Sequence, residues 1–277
     1  MKTLEDIKLT YAGSTDLNTL LDNINFSEAH QAFLNQIEHP VFKEQCRDYF
    51  ANTQFRRDLF IRGKNNLTLQ QTHQRLRQIP FVLLSAAEHI PKTINGYLGE
   101  FNLLPEVYQP IGEMFKAQDY QSLTIAEIEA KYPELNFNKI LNAMTILCHL
   151  GIAQPCQIKP TKKMIEQSQS VNRYLLEQAM FRTNYQVLAC AITGIAIPTD
   201  HFSQLFYRAH FIEGLQTKEQ FAEYVFEVIQ KLGWYVLDQD GKSITDNDQS
   251  IQIIAQKAQY FLDSEKLKIA QHLKLFA

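Results

Sequence analysis

Lys43-Glu44-Gln45-Cys46-Arg47-Asp48-Tyr49-Phe50-Ala51-Asn52-Thr53-Gln54-Phe55-Arg56-Arg57-Asp58-Leu59-Phe60-Ile61-Arg62 is the chain's densest mixture of charge and aromatic side chains. Its first half has a helical pattern: Phe42, Cys46, Tyr49, Phe50 and Thr53 fall on one face, while Glu44, Arg47 and Asp48 point elsewhere. After Asn52 the period changes. Leu59 and Ile61 alternate with Phe60 and Arg62, which predicts a short strand or extended segment. Glu44, Arg47, Asp48, Arg56, Arg57, Asp58 and Arg62 are therefore the candidate site. One reading is an ion-pair network that braces a helix-strand junction. The other is a docking surface or a small anionic-ligand site, because the planar fork of arginine grips carboxylates in pairs. Arg56, which follows Phe55 at the junction, is expected to brace; Arg57 and Arg62 are expected to dock. Those two share a face only if residues 57–61 hold one irregularity, since a regular strand puts them on opposite faces.

Towards the N-terminus, residues 1–25 read as a lead-in with one short helix around Leu17, Leu20 and Leu21. Ser27 can cap a helix to about Glu38, and His39-Pro40 breaks it. Proline then suits the first turn of the next helix. Towards the C-terminus, Thr68 to Gln78 reads as a helix, Phe81 to Leu84 as a short strand, and the organisation changes near residue 92.

The middle of the chain is the most legible. Val107, Ile111, Met114 and Phe115 repeat at helical spacing; Thr124 and Glu127 form a capping box; Phe137 to Leu150 is a helix ended by Gly151; Ala153 to Ile158 is a strand. That order is the order of a winged helix. Beyond it, Thr161 to Ala179 is helical, and Val187 to Ile197, apolar on all sides, is expected to be buried as a core helix or half of a helical pair. Thr217 and Gln220 cap a helix to Leu232, followed by a hairpin with Asp240-Gly241 at its turn and two terminal helices. The expected fold is mainly α (α+β). Residues 1–92 form a helical unit, 93–165 a winged-helix-like unit, and 166–277 a helical unit with a second helix and β-hairpin.

With 277 residues, 18 Phe and 12 Tyr, the chain can fill two or three cores. A net charge of −3 excludes a strongly basic nucleic-acid footprint over the whole chain. Cys46, Cys148, Cys156 and Cys190 are scattered, with no C-x-x-C pair, as expected of thiols in a reducing cytoplasm. No signal-peptide core follows Met1, and the longest apolar run, Val187 to Pro198, is too short to span a bilayer. The expectation is a cytoplasmic protein with no membrane contact.

Chemistry-bearing motifs are scarce. A class I methyltransferase needs a glycine-rich turn so that the backbone can approach the cofactor. This chain has no G-x-G, and its nearest pair, Gly96 and Gly99, does not follow a buried strand. No H-E-x-x-H or tight His/Cys cluster is present; Asp200, His201 and His210 suit capping or surface roles better than metal ligation. Cys148 and His149 are neighbours on a helix and point about 100° apart, so Cys148 reads as core rather than nucleophile. The expectation is no catalytic residue, no cofactor and no metal. The helix from Phe137 to Leu150 would be the reading helix of a DNA-binding winged helix, yet its one full positive charge is Lys139. Lys159, Lys162 and Lys163 add only a modest cluster. Winged helices also dimerise and dock proteins, which an apolar third helix favours.

The stretch from Glu44 to Arg62, EQCRDYFANTQFRRDLFIR, resembles the pattern EQxxDFxxxxxFRxxLLxR of bacterial methyltransferase regulatory domains. In that family the region usually follows a class I S-adenosylmethionine-dependent methyltransferase domain. The resemblance is specific at Glu44 to Arg62 and diffuse beyond. It implies a regulatory and C-terminal portion without the catalytic domain. The implied function is that of a non-catalytic partner of a methyltransferase domain or subunit, working by protein-protein docking, with room for a homodimer. The alternative is a winged-helix nucleic-acid-binding regulator.

Overall fold

The computed structural model describes residues 4, 6–63, 65–237 and 240–277. The protein is mainly helical α+β, with small antiparallel sheets. It forms two compact units, each assembled from separate segments. One contains residues 1–79, 89–114 and 123–153; the other contains 80–88, 115–122 and 154–277.

The first unit opens with a strand, β1 (Leu9–Ser14), where a lead-in with one short helix was expected. The strand exists because β2 (Asp58–Arg62) pairs with it antiparallel: Leu9 faces Arg62, Tyr11 faces Phe60, and Gly13 faces Leu59. Leu17–Leu20 then forms one 3₁₀ turn capped by Asp16, followed by α1 (Asp22–Asn25). α2 (Glu28–Asn35) starts at Ser27, whose hydroxyl accepts the His30 amide. α3 (Pro40–Ala51) starts with Pro40 in its first turn, where the missing N–H costs nothing, and ends at Asn52 in the left-handed conformation. α4 (Leu69–Arg77) carries a capping box between Thr68 and Gln71. After β3 (Pro80–Leu83), which belongs to the second unit, β4 (Thr93–Gly96) and β5 (Gly99–Asn102) form a hairpin. Gly96 sits against α1: a Cβ there would lie 2.3 Å from the Ile24 carbonyl oxygen, so only glycine fits. The amide of Tyr97 donates to Asn25 Oδ1 at 3.1 Å beside that contact.

α5 (Pro105–Ala117), β6 (Leu123–Thr124), α6 (Ile125–Lys131), α7 (Phe137–His149) and β7 (Ala153–Pro155) follow in the order read from sequence. The Thr124–Glu127 capping box is present, and Gly151 takes a positive φ just after α7. Ile111, Ile125, Ile128, Ile140 and Leu147 are fully buried here.

The second unit contains α8 (Lys162–Ala179), a hairpin, and four more helices. The hairpin is β8 (Val187–Cys190) and β9 (Ile195–Pro198), with Leu188 facing Ile197 and Cys190 facing Ile195. This corrects the expectation of a buried helix over Val187 to Ile197. Uniform apolarity does not separate a short strand from a core helix, and Thr193-Gly194, with Gly194 at φ 73°, makes the turn. Asn172, fully buried on α8, fixes the hairpin: its side chain accepts from the Ala189 amide at 2.6 Å and donates to the Ala189 carbonyl at 2.8 Å. The same amide group donates to the Leu275 carbonyl at 2.9 Å. α9 (His201–Phe211), α10 (Lys218–Lys231), α11 (Asn247–Asp263) and α12 (Lys266–His272) pack around Phe206, Tyr207, Phe221 and Phe261. Among the described residues the hairpin expected after α10 shows a bridge between Leu237 and Ser243, and the Ile244 amide donates to the Val236 carbonyl at 2.9 Å; Gln239 of its turn lies outside the described residues.

Candidate functional site

The quoted stretch folds as α3, a connecting loop and β2, and two clusters of charge form on it. Arg56 is the centre of the first. Its guanidinium donates to both oxygens of Asp48 (3.0 and 2.9 Å), to Asp58 (3.1 Å), to Glu44 (3.1 Å) and to the Tyr11 hydroxyl (2.8 Å). It also lies 5.6 Å from the centre of the Tyr11 ring. One side chain thus ties α3 to both strands of the β1–β2 ribbon. Burial works against the charge of Arg56, but its hydrogen bonds to Asp48, Asp58 and Glu44 outweigh that and raise its pKa further. Burial, with Glu44 nearby, pushes the Tyr11 hydroxyl up to about 12, so it stays protonated and donates to Glu44.

Arg47 forms the second cluster. It donates to both oxygens of Asp22 and to the Thr19 carbonyl, pairs with Glu44 at 3.6 Å, and sits 5.4 Å from the Phe26 ring centre. Glu44 links the clusters. A cleft of about 90 Å³ opens beside them, lined in part by Glu44, Arg47, Asp48, Phe55, Arg56 and Arg57. Both buried-side arginines are already engaged by Asp22, Glu44, Asp48 and Asp58, so the cleft offers a small anion more carboxylate than free cation. Sequence reading missed Tyr11 and Asp22 as members. They lie 45 and 25 residues from the arginines they meet, and the alternation of β1 was the one signal for Tyr11.

Arg57 and Arg62 are placed differently. Both are exposed. The Arg57 side chain makes no ion pair among the described residues, although its carbonyl accepts from the Thr15 amide and hydroxyl. Arg62 donates to the Ile7 carbonyl at 3.4 Å. The register irregularity of the ribbon lies in β1, between Tyr11 and Gly13, and β2 is regular. Continued back through Asp58, that regular strand puts Arg57 and Arg62 on opposite faces.

The same segment leaves large apolar side chains in solvent. Phe55 is 92% exposed, Tyr49 76%, Leu59 54%, Phe42 51% and Ile61 41%. Leu59 and Ile61 project from the face of the ribbon opposite Tyr11 and Phe60, whose rings contact each other edge to face at 5.9 Å.

The other chemical candidates resolve into structure. Burial pushes the Cys148 and Cys156 thiols up to about 12, which leaves them unreactive. His149 faces Asp16 at 3.7 Å. His201 Nε2 lies 2.7 Å from the Ala179 carbonyl, His210 Nδ1 lies 3.2 Å from that of Leu215, and Asp200 caps α9. Among the described residues no group of three or more metal-ligating side chains converges, and no helix is long and apolar enough to cross a membrane.

Known proteins place this arrangement in context. A protein of Synechocystis sp. (strain ATCC 27184 / PCC 6803 / Kazusa), itself described as uncharacterized, is 29% identical over 263 residues, covering 94% of this chain and 50% of that protein. The structure of PKMT2 from Rickettsia typhi in complex with AdoHcy superposes with a TM-score of 0.55 at 16% identity, covering 97% of this chain and 56% of that one. A second structure of PKMT2 gives 0.52 at 15% identity. The shared fold therefore extends over almost all of this chain, and the chain spans about half the length of the relatives it matches. Residues 1–62, from the lead into β1 to the last residue of β2, match the family described as predicted methyltransferase regulatory domain. The ribbon and helix that hold the two arginine clusters thus carry the sequence signature of a methyltransferase regulatory domain.

Proposed function

We propose that this chain is a non-catalytic regulatory module that docks onto a methyltransferase domain or subunit. The observation that carries the reading is the apolar surface of the matched segment: Leu59 and Ile61 stand in solvent on one face of β2, with Phe55 in the loop before it and Tyr49 on α3, in a segment that Arg56 braces internally. Contiguous exposed apolar side chains, as Leu59 and Ile61 are on β2, mark interaction surfaces. The bracing holds that surface in one conformation, which lowers the entropy lost on docking. Arg57, exposed and unpaired among the described residues, supplies a cation at the rim of the ribbon. In this reading residues 1–92 regulate, residues 93–165 are the winged-helix-like unit built on α5, α6, α7 and β7, and residues 166–277 form the helical C-terminal unit. The nucleic-acid alternative gains little: α7 buries Phe137, Ile140, Met144 and Leu147, and Lys139 is its one lysine or arginine. A homodimer through the Leu59 and Ile61 face is a second arrangement of this docking reading.

The test uses the part of the Synechocystis relative that lies outside the region aligned with this chain, produced as a separate polypeptide. Titration calorimetry should give micromolar association with wild type. Phe55→Ser combined with Leu59→Ser should weaken it about tenfold or more, as loss of an interface anchor does. Absence of association, or association indifferent to both substitutions, sinks the docking reading; sedimentation of this chain alone separates the homodimer.

A further inference from the structure

The second unit holds a groove of about 710 Å³ between α9, α11 and the start of α12. That volume falls within the roughly 300–1,000 Å³ of ligand sites, which are apolar with a few convergent polar groups. Its accessible apolar wall is made by Phe202, Leu237, Ile253 and Tyr260, with Phe206 and Phe261 buried beneath. Two cations stand over these rings: Lys257 Nζ lies 5.1 Å from the Phe202 centroid and Lys266 Nζ lies 5.7 Å from that of Phe261.

The polar groups of the groove are unequally engaged. Asp200 accepts from the Ser203 amide at 2.9 Å and from its hydroxyl, so its charge faces the first turn of α9. Lys266 donates to the buried Ser203 hydroxyl at 3.0 Å and is 3.9 Å from Asp200. Lys257 is exposed and has no carboxylate partner among the described residues; its ammonium stands over the ring of Phe202. The groove therefore presents an apolar wall, one satisfied acid, one half-engaged lysine and one lysine without a counter-ion among the described residues.

We propose that this groove binds an apolar carboxylate: the carboxylate meets Lys257, with Lys266 as the second cation, and the apolar body lies on Phe202 and Ile253. A neutral apolar ligand leaves Lys257 unanswered, and a cation would meet both lysines. The same chemistry comes from two sources, a free carboxylic acid or an acidic side chain that follows apolar residues in a peptide. The inference stands on residues of the second unit alone and does not depend on the docking reading.

The experiment is a calorimetric titration of the full chain with decanoate, with decyltrimethylammonium, and with the peptide acetyl-Leu-Phe-Glu-amide. Decanoate or the peptide should bind at least about tenfold more tightly than the cation, and Lys257→Met should remove about tenfold of that affinity while leaving the melting temperature unchanged. Phe202→Ala should weaken decanoate and the peptide alike. Tighter binding of the peptide assigns the site to a protein partner, and tighter binding of decanoate to a free acid; both support the proposal. Absence of binding by either carboxylate, equal affinity for the cation, or a Lys257→Met protein that binds like wild type overturns it.

Discussion

Replacing Arg56 with methionine keeps most of the side-chain volume and removes the guanidinium that four side chains share. Glu44, Asp48 and Asp58 would then face one another with no cation between them. Breaking a buried ion pair costs about 3–5 kcal/mol, and an exposed one about 0–1 kcal/mol. The side chains here are 14–30% exposed, with Arg56 itself at 22%, which places them between those limits. A loss of about 2–3 kcal/mol follows, in line with the roughly 1.5–3 kcal/mol of hydrogen bonds to charged groups. At about 2–4 °C per kcal/mol for chains of 150–250 residues, the melting transition should fall by roughly 4–12 °C. Adding Asp58→Asn to Arg56→Met should recover part of the loss, because it removes one of the stranded charges. Asp58→Asn alone should cost less than Arg56→Met, since Arg56 keeps Asp48 and Glu44. Circular-dichroism melts of the four proteins complete the cycle. A shift below about 1 °C for Arg56→Met, within the range of ordinary surface substitutions, or a double variant as unstable as the sum of its parts, would refute the bracing role.

Asp200→Ala removes the cap of α9 and should cost about 1 kcal/mol at pH 7. Burial opposes the Asp200 charge, but hydrogen bonds from Ser203 and the nearby Lys266 outweigh it and hold the carboxyl below its ordinary range. Its contribution is therefore present above a pH of about 4 and lost as pH falls through the depressed value; melts at both ends of that window should show the wild-type advantage closing in acid. Gly96→Ala drives a methyl group into the Ile24 carbonyl and should destabilise by about 1–3 kcal/mol; an unchanged urea midpoint would show that the hairpin does not sit where described. S-adenosylmethionine added to this chain should give no heat beyond dilution, because no glycine-rich cofactor turn is present. Micromolar binding would return attention to an atypical cofactor site.

The helices were legible because their signals are local. Ser27, Pro40, Thr124 with Glu127, and Thr217 with Gln220 all mark starts that the structure uses. What failed was non-local. β1 is a strand because residues 58–62 pair with it, and nothing within residues 9–14 states that partner. The β8–β9 hairpin reads as apolar throughout, and its anchor, Asn172, lies 17 residues before the backbone it holds. The candidate site divides in the same way. Glu44, Asp48, Arg56 and Asp58 lie within 15 residues and were found as a group, whereas Tyr11 and Asp22 join only through the fold. A shared face for Arg57 and Arg62 needed an irregularity within residues 57–61, and the bulge of the ribbon lies in the neighbouring strand instead.

Asn172 has a consequence for how the second unit opens. Its side chain joins α8, the amide and carbonyl of Ala189, and the carbonyl of Leu275, the last of these 103 residues away along the chain. Fraying of the segment after α12 leaves one Asn172 N–H bond unmade in a fully buried place, and the cost of that falls on the hairpin as well. The hairpin and the segment around Leu275 are therefore coupled through one side chain, although neither follows the other in sequence. Loss of the Leu275 contact should speed exchange of the Ala189 amide, which hydrogen-exchange measurements on a Leu275→Pro variant would show.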